Sequence, residues 1–432
     1  MIYWLFRCLL ANLFRLWCLI ATLLHPKRYQ KSRPREANPD IKFDFKETWW
    51  WLYKYYFRQV EHAETPEIEA PFASAALDFT PPEEFTPETS ARISAAGDIL
   101  PSDYITPNTI SHLLDDIEDF YFDAELVCAN LESPVAPGQP FSAIPKNLFI
   151  PLRMNNSVEV FDAFYRNGKG IALFTTANNH AMDRGEAGLL ETIDFLDSKG
   201  ALHTGTSKGS DEEFLITERN HIKIAFISYT YSLNGKGAPQ NAQVNRLRLN
   251  LPGADFSPLY AQISKAKAQH TDVVILALHW GLENESYPTQ HFIDATRTLW
   301  EHGADVIIGN HAHGVQPVES YRCADPYSQI EKPRLAFYAL GDFMSYHPAK
   351  NTRLGLLAKF ALQKGTANGE AISFVSGVQF LPTYLYTRKT RDVSHDFRVL
   401  RLWGNATAPL NHRQKREILR LRKLQKKVIP HA

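Results

Sequence analysis

Residues 303–314 read Gly-Ala-Asp-Val-Ile-Ile-Gly-Asn-His-Ala-His-Gly. The apolar run Val306-Ile307-Ile308 predicts a buried strand, and it leads directly into Gly309 and two histidines. Because His311 and His313 are two positions apart, their side chains project to the same side of an extended backbone. One short loop can therefore present two imidazoles to a single metal ion.

Two other stretches repeat this pattern of a strand followed by ligand-type residues. The apolar run 273–278 ends at His279, and the run 171–177 ends in Asn178-Asn179-His180. Open α/β sheets place their sites at the carboxyl ends of their strands. A single histidine at such a position more often caps a strand or satisfies a core hydrogen bond. Three such junctions in one chain favour a shared site.

The candidate metal ligands share one property, because each lies at the end of a predicted strand. They are Asp98, Glu132, Asn179, His279, His311 and His313. A mixture of carboxylate, amide and imidazole groups suits Zn, Mn or Fe rather than Ca or Mg alone. Six ligands are enough for one or two divalent ions, and a two-metal site can assist cleavage of a phosphoester or polarise an amide carbonyl.

Two further residues are candidates for catalysis. His180 follows the proposed ligand Asn179, so it is free to act as a general acid or to stabilise charge. Asp183 could orient His180, or it could cap the helix predicted after Gly185.

Composition limits the function classes. A chain of 432 residues that is 44% hydrophobic can bury one sizeable domain with extensions. Lys plus Arg and Asp plus Glu both number 47, so no global charge favours a nucleic-acid partner. A Gly-x-x-x-x-Gly-Lys-Ser/Thr loop is absent from the sequence, which argues against a P-loop NTPase.

The N-terminal residues 1–60 are interpreted as a membrane-associating segment. Residues 1–24 are apolar, but charged residues interrupt them and leave at most nine uncharged residues in a row, too few to span a bilayer. They predict an amphipathic interfacial helix, followed by a basic cluster at residues 27–35 that suits an anionic, cytoplasmic membrane face. Residues 49–57 are dense in Trp and Tyr, which indicates either the membrane interface or a helix packed on the main domain.

The remaining chain divides into three parts. Residues 61–89 are rich in Pro, Glu and Ala and predict a linker. Residues 90–381 predict the main domain, with a helix over 105–122 and antiparallel strands after residue 334. Residues 382–432 form a basic tail, and its helical part could touch anionic lipid or remain a solvated terminal helix.

An ordered set of motifs resembles the CapA family of capsule or poly-γ-glutamate biosynthesis proteins. The motifs are Gly97-Asp98, Asn130-Leu131-Glu132, residues 177–185, His279-Trp280-Gly281-Leu282-Glu283, residues 303–313 and Leu340-Gly341-Asp342-Phe343. The resemblance implies an α/β fold, a calcineurin-like metallophosphatase sandwich of four layers, α/β/β/α. Here it would carry an N-terminal membrane-interacting extension and a basic C-terminal helix.

The resemblance also implies roles for individual residues. Asp98 and His313 resemble ligands of a first metal, and a second set resembles ligands of the other metal. This second set is Asn179, His279 and His311. Glu132 takes the place of the bridging carboxylate, and His180 matches the catalytic histidine. Two positions depart from the pattern: Leu100 replaces a histidine of the wider metallophosphatases, and Asp342 stands where the family commonly has Asn.

Two functions follow from the resemblance. The first is a metal-dependent hydrolase acting on a phosphoester or a γ-glutamyl or peptide amide in capsule or cell-envelope polymer biosynthesis. The second is a non-catalytic, membrane-associated assembly or polymer-binding factor with the same fold. Expected partners are an anionic membrane surface, the envelope polymer or its precursor and other capsule-synthesis proteins. The basic cluster favours the cytoplasmic face of the membrane, whereas relatives of this type often work outside the cell.

Overall fold

The structure is a computed structural model. It describes residues 45–74, 76–144, 153–166, 168–209, 214–389, 395–404 and 407–432, and scattered positions between Leu9 and Leu24. The basic cluster at residues 27–35 and most of the predicted interfacial helix lie outside the described residues. No helix within the described ranges is long and apolar enough to cross a bilayer.

Strands make up most of the regular structure. In chain order they are β1 (Thr86–Ile99), β2 (Leu126–Leu131), β3 (Tyr165–Arg166), β4 (Lys169–Gly170), β5 (Leu173–Thr175), β6 (Leu202–Thr204), β7 (Thr206–Ser207), β8 (Leu215–Arg219), β9 (Ile222–Thr230), β10 (Gln243–Val244), β11 (Val273–His279), β12 (Val306–Asn310), β13 (Val318–Ala324), β14 (Glu331–Phe337), β15 (Asp342–Met344), β16 (Leu354–Ala367), β17 (Glu370–Lys389) and β18 (His395–Arg401).

The helices are fewer and mostly short. They are α1 (Phe45–Tyr56), α2 (Pro66–Ser74), α3 (Glu118–Tyr121), α4 (Val158–Asp162), α5 (Gly185–Ser198), α6 (Ser257–Ala268), α7 (Gln290–Glu301) and α8 (His412–Val428), with a 3₁₀ turn at Lys350–Arg353. The mixed α/β class predicted from the sequence is confirmed.

Two large sheets form the framework. The first has the order β18-β17-β16-β1-β2-β5-β6, with β15 also paired to β1. The second has the order β13-β14-β12-β11-β9-β8. In both sheets the central strands are parallel, so their carboxyl ends meet at one edge. This arrangement positions the predicted ligands side by side.

The side chains of β1 point to two different faces of the first sheet and show how the layers pack. Ile93 and Ala95 belong to the buried cluster that includes the second sheet, whereas Ala96 and Ile99 belong to a cluster with helices α3, α4 and α5. The rings of Phe337 from β14 and Phe360 from β16 lie 6.1 Å apart, which joins the inner faces of the two sheets. Helices α6 and α7 pack on the second sheet.

Two glycines permit close contact where the ligand-bearing strands end. A Cβ atom on Gly97 would lie 1.7 Å from the carbonyl oxygen of Gly341. One on Gly309 would lie 2.0 Å from the carbonyl oxygen of Tyr338. A side chain at either position would force these backbone segments apart. Glycine at these positions lets each strand lie close to its neighbouring backbone segment. Gly97 immediately precedes Asp98, and Gly309 lies two residues before His311.

The helix predicted over residues 105–122 is wrong for most of its length. Only α3 is helical, and the preceding residues form successive turns. The Thr109 hydroxyl donates to the carbonyl oxygens of Tyr104 and Thr106, which competes with a helical ladder. The carbonyl oxygens of Thr109 and Leu113 accept from the amides of Phe397 and Val399 in β18. Tertiary pairing therefore takes the place of the helix.

The first sheet extends beyond residue 381, where the sequence analysis placed the end of the main domain. β17 continues to Lys389 and pairs with β18, for example Tyr384 with Leu400. Helix α8 follows and buries Ile418, Leu421 and Val428 in the core of the domain. The apolar stripe of α8 thus packs on its own chain.

Candidate metal centre

The structure brings all eight residues predicted for the site into one buried region. Each is at most 6% exposed. Seven of them lie at or shortly beyond a strand end, and Asp183 lies just before α5. The eight are Asp98, Glu132, Asn179, His180, Asp183, His279, His311 and His313. Ligand-type residues of the two sheets therefore face each other where the sheet edges meet.

One group of possible ligands consists of Glu132, His279 and His311. One ligand atom from each lies within 4.8 Å of the others. His279 Nε2 is 3.2 Å from Glu132 Oε1 and 2.9 Å from Asn179 Oδ1. The rings of His279 and His311 are 4.8 Å apart, so both imidazoles point to the same place. These four residues could hold one cation.

A second group shares Glu132 with the first. It consists of Asp98, Glu132 and His313. His313 Nδ1 lies 3.7 Å from Asp98 Oδ2 and 4.0 Å from Glu132 Oε2. Because the two oxygens of Glu132 face different groups, this one carboxylate could bridge two ions.

Glu132 carries a buried carboxylate whose charge is not compensated by hydrogen bonds from the described residues. It is fully buried, and neither of its carboxylate oxygens has a hydrogen-bond partner among the described residues. Burial, together with Asp98, Asp342 and Glu283, raises the pKa of Glu132 well above its usual value. A buried carboxylate without donors is costly unless a cation compensates its charge. The donor set therefore fits a divalent metal.

The histidines of the first group have the protonation state that metal binding requires. Burial, and then the neighbouring histidines, lower the pKa of His279 and His311 well below the usual value. Both imidazoles are therefore neutral, and neutral imidazole is the form that ligates metals. The Nδ1 atom of His311 has no hydrogen-bond partner within the described chain.

His180 and Asp183 form a buried pair beside Glu132. His180 Nδ1 is 3.1 Å from Asp183 Oδ2, and His180 Nε2 is 3.9 Å from Glu132 Oε1. Burial opposes ionisation of Asp183, but His180 and Lys236 more than offset it and lower the pKa of Asp183. Ionised Asp183 can accept a hydrogen bond from Nδ1–H of His180, which leaves Nε2 facing Glu132. Asp183 does not cap α5, whose N-cap is Arg184.

The loop after β12 is held in an unusual backbone conformation. His311 has φ of +90° and His313 has φ of +50°, values that residues other than glycine rarely adopt. Asp98 Oδ2 accepts the backbone amide of His311 at 3.0 Å and helps to fix this loop. Backbone strain of this kind concentrates at functional sites, where surrounding structure maintains it.

The sequence analysis missed several residues of the centre. Asn130 donates to Asp98 Oδ1 at 2.7 Å and lies 3.3 Å from His279 Nδ1, so it positions ligands from both sheets. It lies near the end of β2, within the Asn130-Leu131-Glu132 motif. Asp342 and His347 form a further group with His313. Asp342 begins β15, whereas no strand pattern marks His347.

Helix α1 forms a wall of the centre, which favours the domain-packed alternative for residues 49–57 over the membrane interface. Lys54 Nζ lies 2.9 Å from Glu285 Oε1, and both side chains are buried. Trp51 Nε1 donates to Glu283. The Tyr55 ring meets the edge of His347 at a centroid distance of 5.7 Å.

A serine-hydrolase motif is also present, because residues 205–209 read Gly-Thr-Ser-Lys-Gly. Ser207 is 2% exposed and lies in the two-residue strand β7, where it pairs with Gln243. Its hydroxyl donates to the carbonyl oxygen of Gly209 at 2.6 Å. The hydroxyl hydrogen is thus used within its own loop, and the motif does not form a nucleophile elbow.

The two-sheet fold, with a buried carboxylate shared by two ligand groups, defines a protein of the metallophosphatase-like class. Residues 92–347 match the family described as "Bacterial capsule synthesis protein PGA_cap", and the chain belongs to this family. The resemblance deduced from the sequence motifs is confirmed.

Known relatives agree with this assignment. The "PGA biosynthesis protein CapA" of Bacillus subtilis (strain 168) is 28% identical over 291 residues, which are 64% of this chain and 69% of that protein. The "Capsule biosynthesis protein CapA" of Bacillus anthracis is 24% identical over 263 residues, 59% of this chain and 58% of that protein. A hypothetical protein from Thermus thermophilus aligns over 67% of this chain and 99% of its own at 14% identity, but its TM-score of 0.34 supports no fold assignment.

Proposed function

We propose that the protein is a metal-dependent hydrolase that cleaves a phosphoester or a γ-glutamyl or peptide amide during synthesis of a capsule or another envelope polymer. The observation that carries this proposal is the unpartnered carboxylate of Glu132, which lies between two ligand groups and beside the His180–Asp183 pair. The names of the two Bacillus relatives supply the pathway. The succession of helix, sheet, sheet and helix layers supports the four-layer metallophosphatase sandwich.

The ligand set favours Mn, Zn or Fe, one or two ions per chain. Asn179, His279 and His311 would hold one ion and Asp98 and His313 the other, with Glu132 between them. When bound, divalent cations at such a site supply Lewis-acid polarisation of an ester or amide oxygen.

His180 performs the proton chemistry in this proposal. Its Nδ1 is held by Asp183, so Nε2 points toward the reacting bond and can give a proton to the leaving group. Asp183 is itself fixed by the backbone amide of Met154 at 3.0 Å and by the ammonium group of Lys236. Asp183 is thus a positioning residue, which keeps the imidazole in one tautomer.

A basic cleft beside Asp183 suits an anionic substrate. It has a volume of about 490 Å³, and its lining includes Arg153, Arg184 and Lys236. Arg184 donates to the carbonyl oxygen of Pro140 at 2.7 Å, which holds its guanidinium at the cleft. Phosphoesters and γ-glutamyl chains both carry negative charge, so this cleft supports either substrate class.

One observation favours the non-catalytic alternative. Leu100 is 1% exposed and provides no ligand, where the wider metallophosphatases carry a histidine. A centre with a weakly held ion could serve to bind polymer or partner proteins rather than to hydrolyse. The retention of His180 and Asp183 in hydrogen-bonding distance favours the hydrolase.

We also propose association with an anionic membrane surface, on the cytoplasmic side. Several apolar side chains near the N-terminus are exposed, for example Leu9 at 57%, Leu16 at 54% and Leu24 at 69%. Exposed leucines at such density favour insertion into a lipid interface. The basic residues 27–35 suit anionic headgroups. Envelope polymer and other capsule-synthesis proteins are the remaining proposed partners.

The test is turnover by the purified chain after metal removal and reloading with Mn²⁺, Zn²⁺ or Fe²⁺. A panel of phosphoesters and γ-glutamyl peptides would identify the bond, and turnover should require both metal and His180. The matched control is His112→Ala, because His112 and Asp115 form an exposed pair with the same three-residue spacing as His180 and Asp183. The assembly factor would be favoured if no member of the panel were turned over in a metal-dependent manner and if the His180→Ala variant still bound polymer.

A further inference from the structure

A third group of side chains adjoins the Asp98–Glu132–His313 group, and two of its three members have no part in the function proposed above. It consists of His313, Asp342 and His347, with one ligand atom from each within 4.8 Å of the others. Asp342 lies beside Asp98 because β1 and β15 pair in parallel with these two residues in register. The two groups meet at His313.

His347 is buried without a hydrogen-bond partner among the described residues. It is 4% exposed, and neither ring nitrogen has a hydrogen-bond partner within the described chain. Its Nε2 faces Asp342 Oδ2 at 3.6 Å, and its ring lies 4.4 Å from the ring of His313. Leaving a buried polar group unsatisfied costs about 1–3 kcal/mol, so an orphaned imidazole here needs an explanation.

The position of His347 suits a ligand. Both ring nitrogens are buried without a hydrogen-bond partner in the described chain, and Nε2 faces a carboxylate oxygen of Asp342. An imidazole and a carboxylate that face each other in this way can bind the same cation.

The carboxylate of Asp342 contacts both histidines of this group. Its Oδ1 is 2.9 Å from His313 Nδ1, and Oδ2 faces His347 and accepts the hydroxyl of Ser345. The carboxylate cannot rotate without losing these contacts. It is thus held between two imidazoles, as a metal-binding carboxylate would be.

We propose that Asp342 and His347 are additional ligands of the cation held by Asp98, Glu132 and His313. This inference rests on the proposed metal centre and extends it. Three carboxylates and two imidazoles form a harder ligand set than the other group, which has one carboxylate, one amide and two imidazoles. The geometry therefore points to Mn²⁺ or Fe²⁺ at this position, in preference to Zn²⁺.

A packing role for His347 makes a different prediction. The edge contact with Tyr55 could by itself account for a buried ring. In that case substitution of His347 would lower stability and leave metal binding unchanged. Metal content, measured separately from activity, distinguishes the two roles.

The experiment counts Mn²⁺ on the full chain after chelation and dialysis, by elemental analysis and by electron paramagnetic resonance. We expect two ions on the wild type with spin coupling between them. His347→Ala and Asp342→Asn should weaken one ion at least about tenfold and abolish the coupling. His347→Phe, which keeps a ring against Tyr55 but has no ligand atom, should do the same and decides the result if the alanine variant does not fold. His112→Ala should keep both ions.

The outcomes separate this inference from the proposed function. Two ions with unchanged affinity in the His347 variants would overturn the inference and leave the hydrolase proposal intact. Loss of both ions together would also overturn it, because it assigns His347 to one ion only. A wild-type chain that neither binds Mn²⁺ nor turns over any substrate would reject the metal centre itself.

Discussion

His180 and His311 are neighbours at the centre with different expected functions. His180 is held by Asp183, whereas His311 belongs to a ligand group with Glu132 and His279. We expect His180→Ala to retain metal and to lose about two to four orders of magnitude in turnover, the range for a positioned acid. His311→Ala should lose metal and turnover together. Metal analysis, thermal melting and turnover on the same purified proteins measure both effects.

Equal metal loss in both variants would contradict the role assigned to His180. If both variants melted at lower temperature with no bound metal in the wild type, the cluster would be a packing feature. In a scaffold protein neither substitution would change a chemical rate, but polymer binding could still fail.

Arg153 tests the basic cleft. It lines the cleft beside Asp183 and is exposed, so its charge can meet an anionic substrate without a large desolvation cost. We expect Arg153→Ala to raise KM about tenfold and to leave kcat within about twofold, since the lost contact acts on bound substrate and transition state alike. High salt should shrink the difference. Arg416→Ala on the exposed side of α8 is the control, and a fall in kcat alone would refute this role.

At the scale of elements, Glu61 joins the segment after α1 to the C-terminal part of the domain. It accepts from Arg58, from Asn351 at 3.0 Å and from Arg420 at 2.7 Å. Burial raises its pKa, but these hydrogen bonds more than offset burial and lower the pKa from 4.5 to about 2. The ionised form therefore stabilises the fold above about pH 4.5, and this stability is lost as the pH falls toward 2.

We expect Glu61→Gln to lower the free energy of unfolding by about 1–2 kcal/mol at pH 7. This value is smaller than the pKa shift alone would give, because solvent around the partly exposed arginines screens the interaction. The difference from wild type should vanish as the pH falls toward 2. Denaturant unfolding across this pH range measures it. Glu88→Gln, an exposed glutamate on β1, is the matched control. A difference that grew on acidification would be inconsistent with a lowered pKa.

The elements that sequence could predict are those with a local signal. β11 is an apolar run that ends in His279, and β12 begins with an apolar run and is followed directly by His311. The existence of both strands and the meeting of these two histidines therefore followed from the carboxyl-end rule. The helix predicted after Gly185 corresponds to α5, where Leu189, Ile193 and Leu196 have helical spacing. The centre was predictable to the extent that its ligands terminate such elements.

The remaining parts depend on long-range contacts. His347 lies beyond β15 in irregular chain, and only the tertiary structure brings it to His313 and Asp342. The turns of residues 105–117 arise because β18, far along the chain, takes backbone acceptors that a helix would use. The aromatic residues of α1 have the composition of an interfacial segment, and only the contacts of Trp51 with Glu283 and of Lys54 with Glu285 show that the helix packs on the domain.

At the scale of the whole molecule, the N-terminal region contains two parts with different expected roles. Removal of residues 1–44 should preserve the melting temperature and metal content but abolish membrane fractionation. Removal of residues 1–57 also deletes α1 and Lys54, which leaves Glu285 without its buried partner. We expect that truncation to cost about 3 kcal/mol or more in unfolding free energy.

Fractionation and melting of the two truncated proteins, beside the full chain, test this division. Unchanged membrane fractionation without residues 1–44 would refute attachment through that segment. Equal melting temperatures for the two truncations would show that α1 adds nothing to the fold.

The contacts of α1 and of the segment that follows it also set an order of assembly. Lys54 and Glu285 are 231 residues apart in sequence, and Lys427 donates to the carbonyl oxygen of Glu61 across 366 residues. During synthesis α1 emerges early, yet its partners leave the ribosome much later. Contacts at such separation carry a large loop-closure entropy and form slowly. The wall of the centre should therefore close near the end of folding, which leaves the ligands open to ions until the last helix has docked.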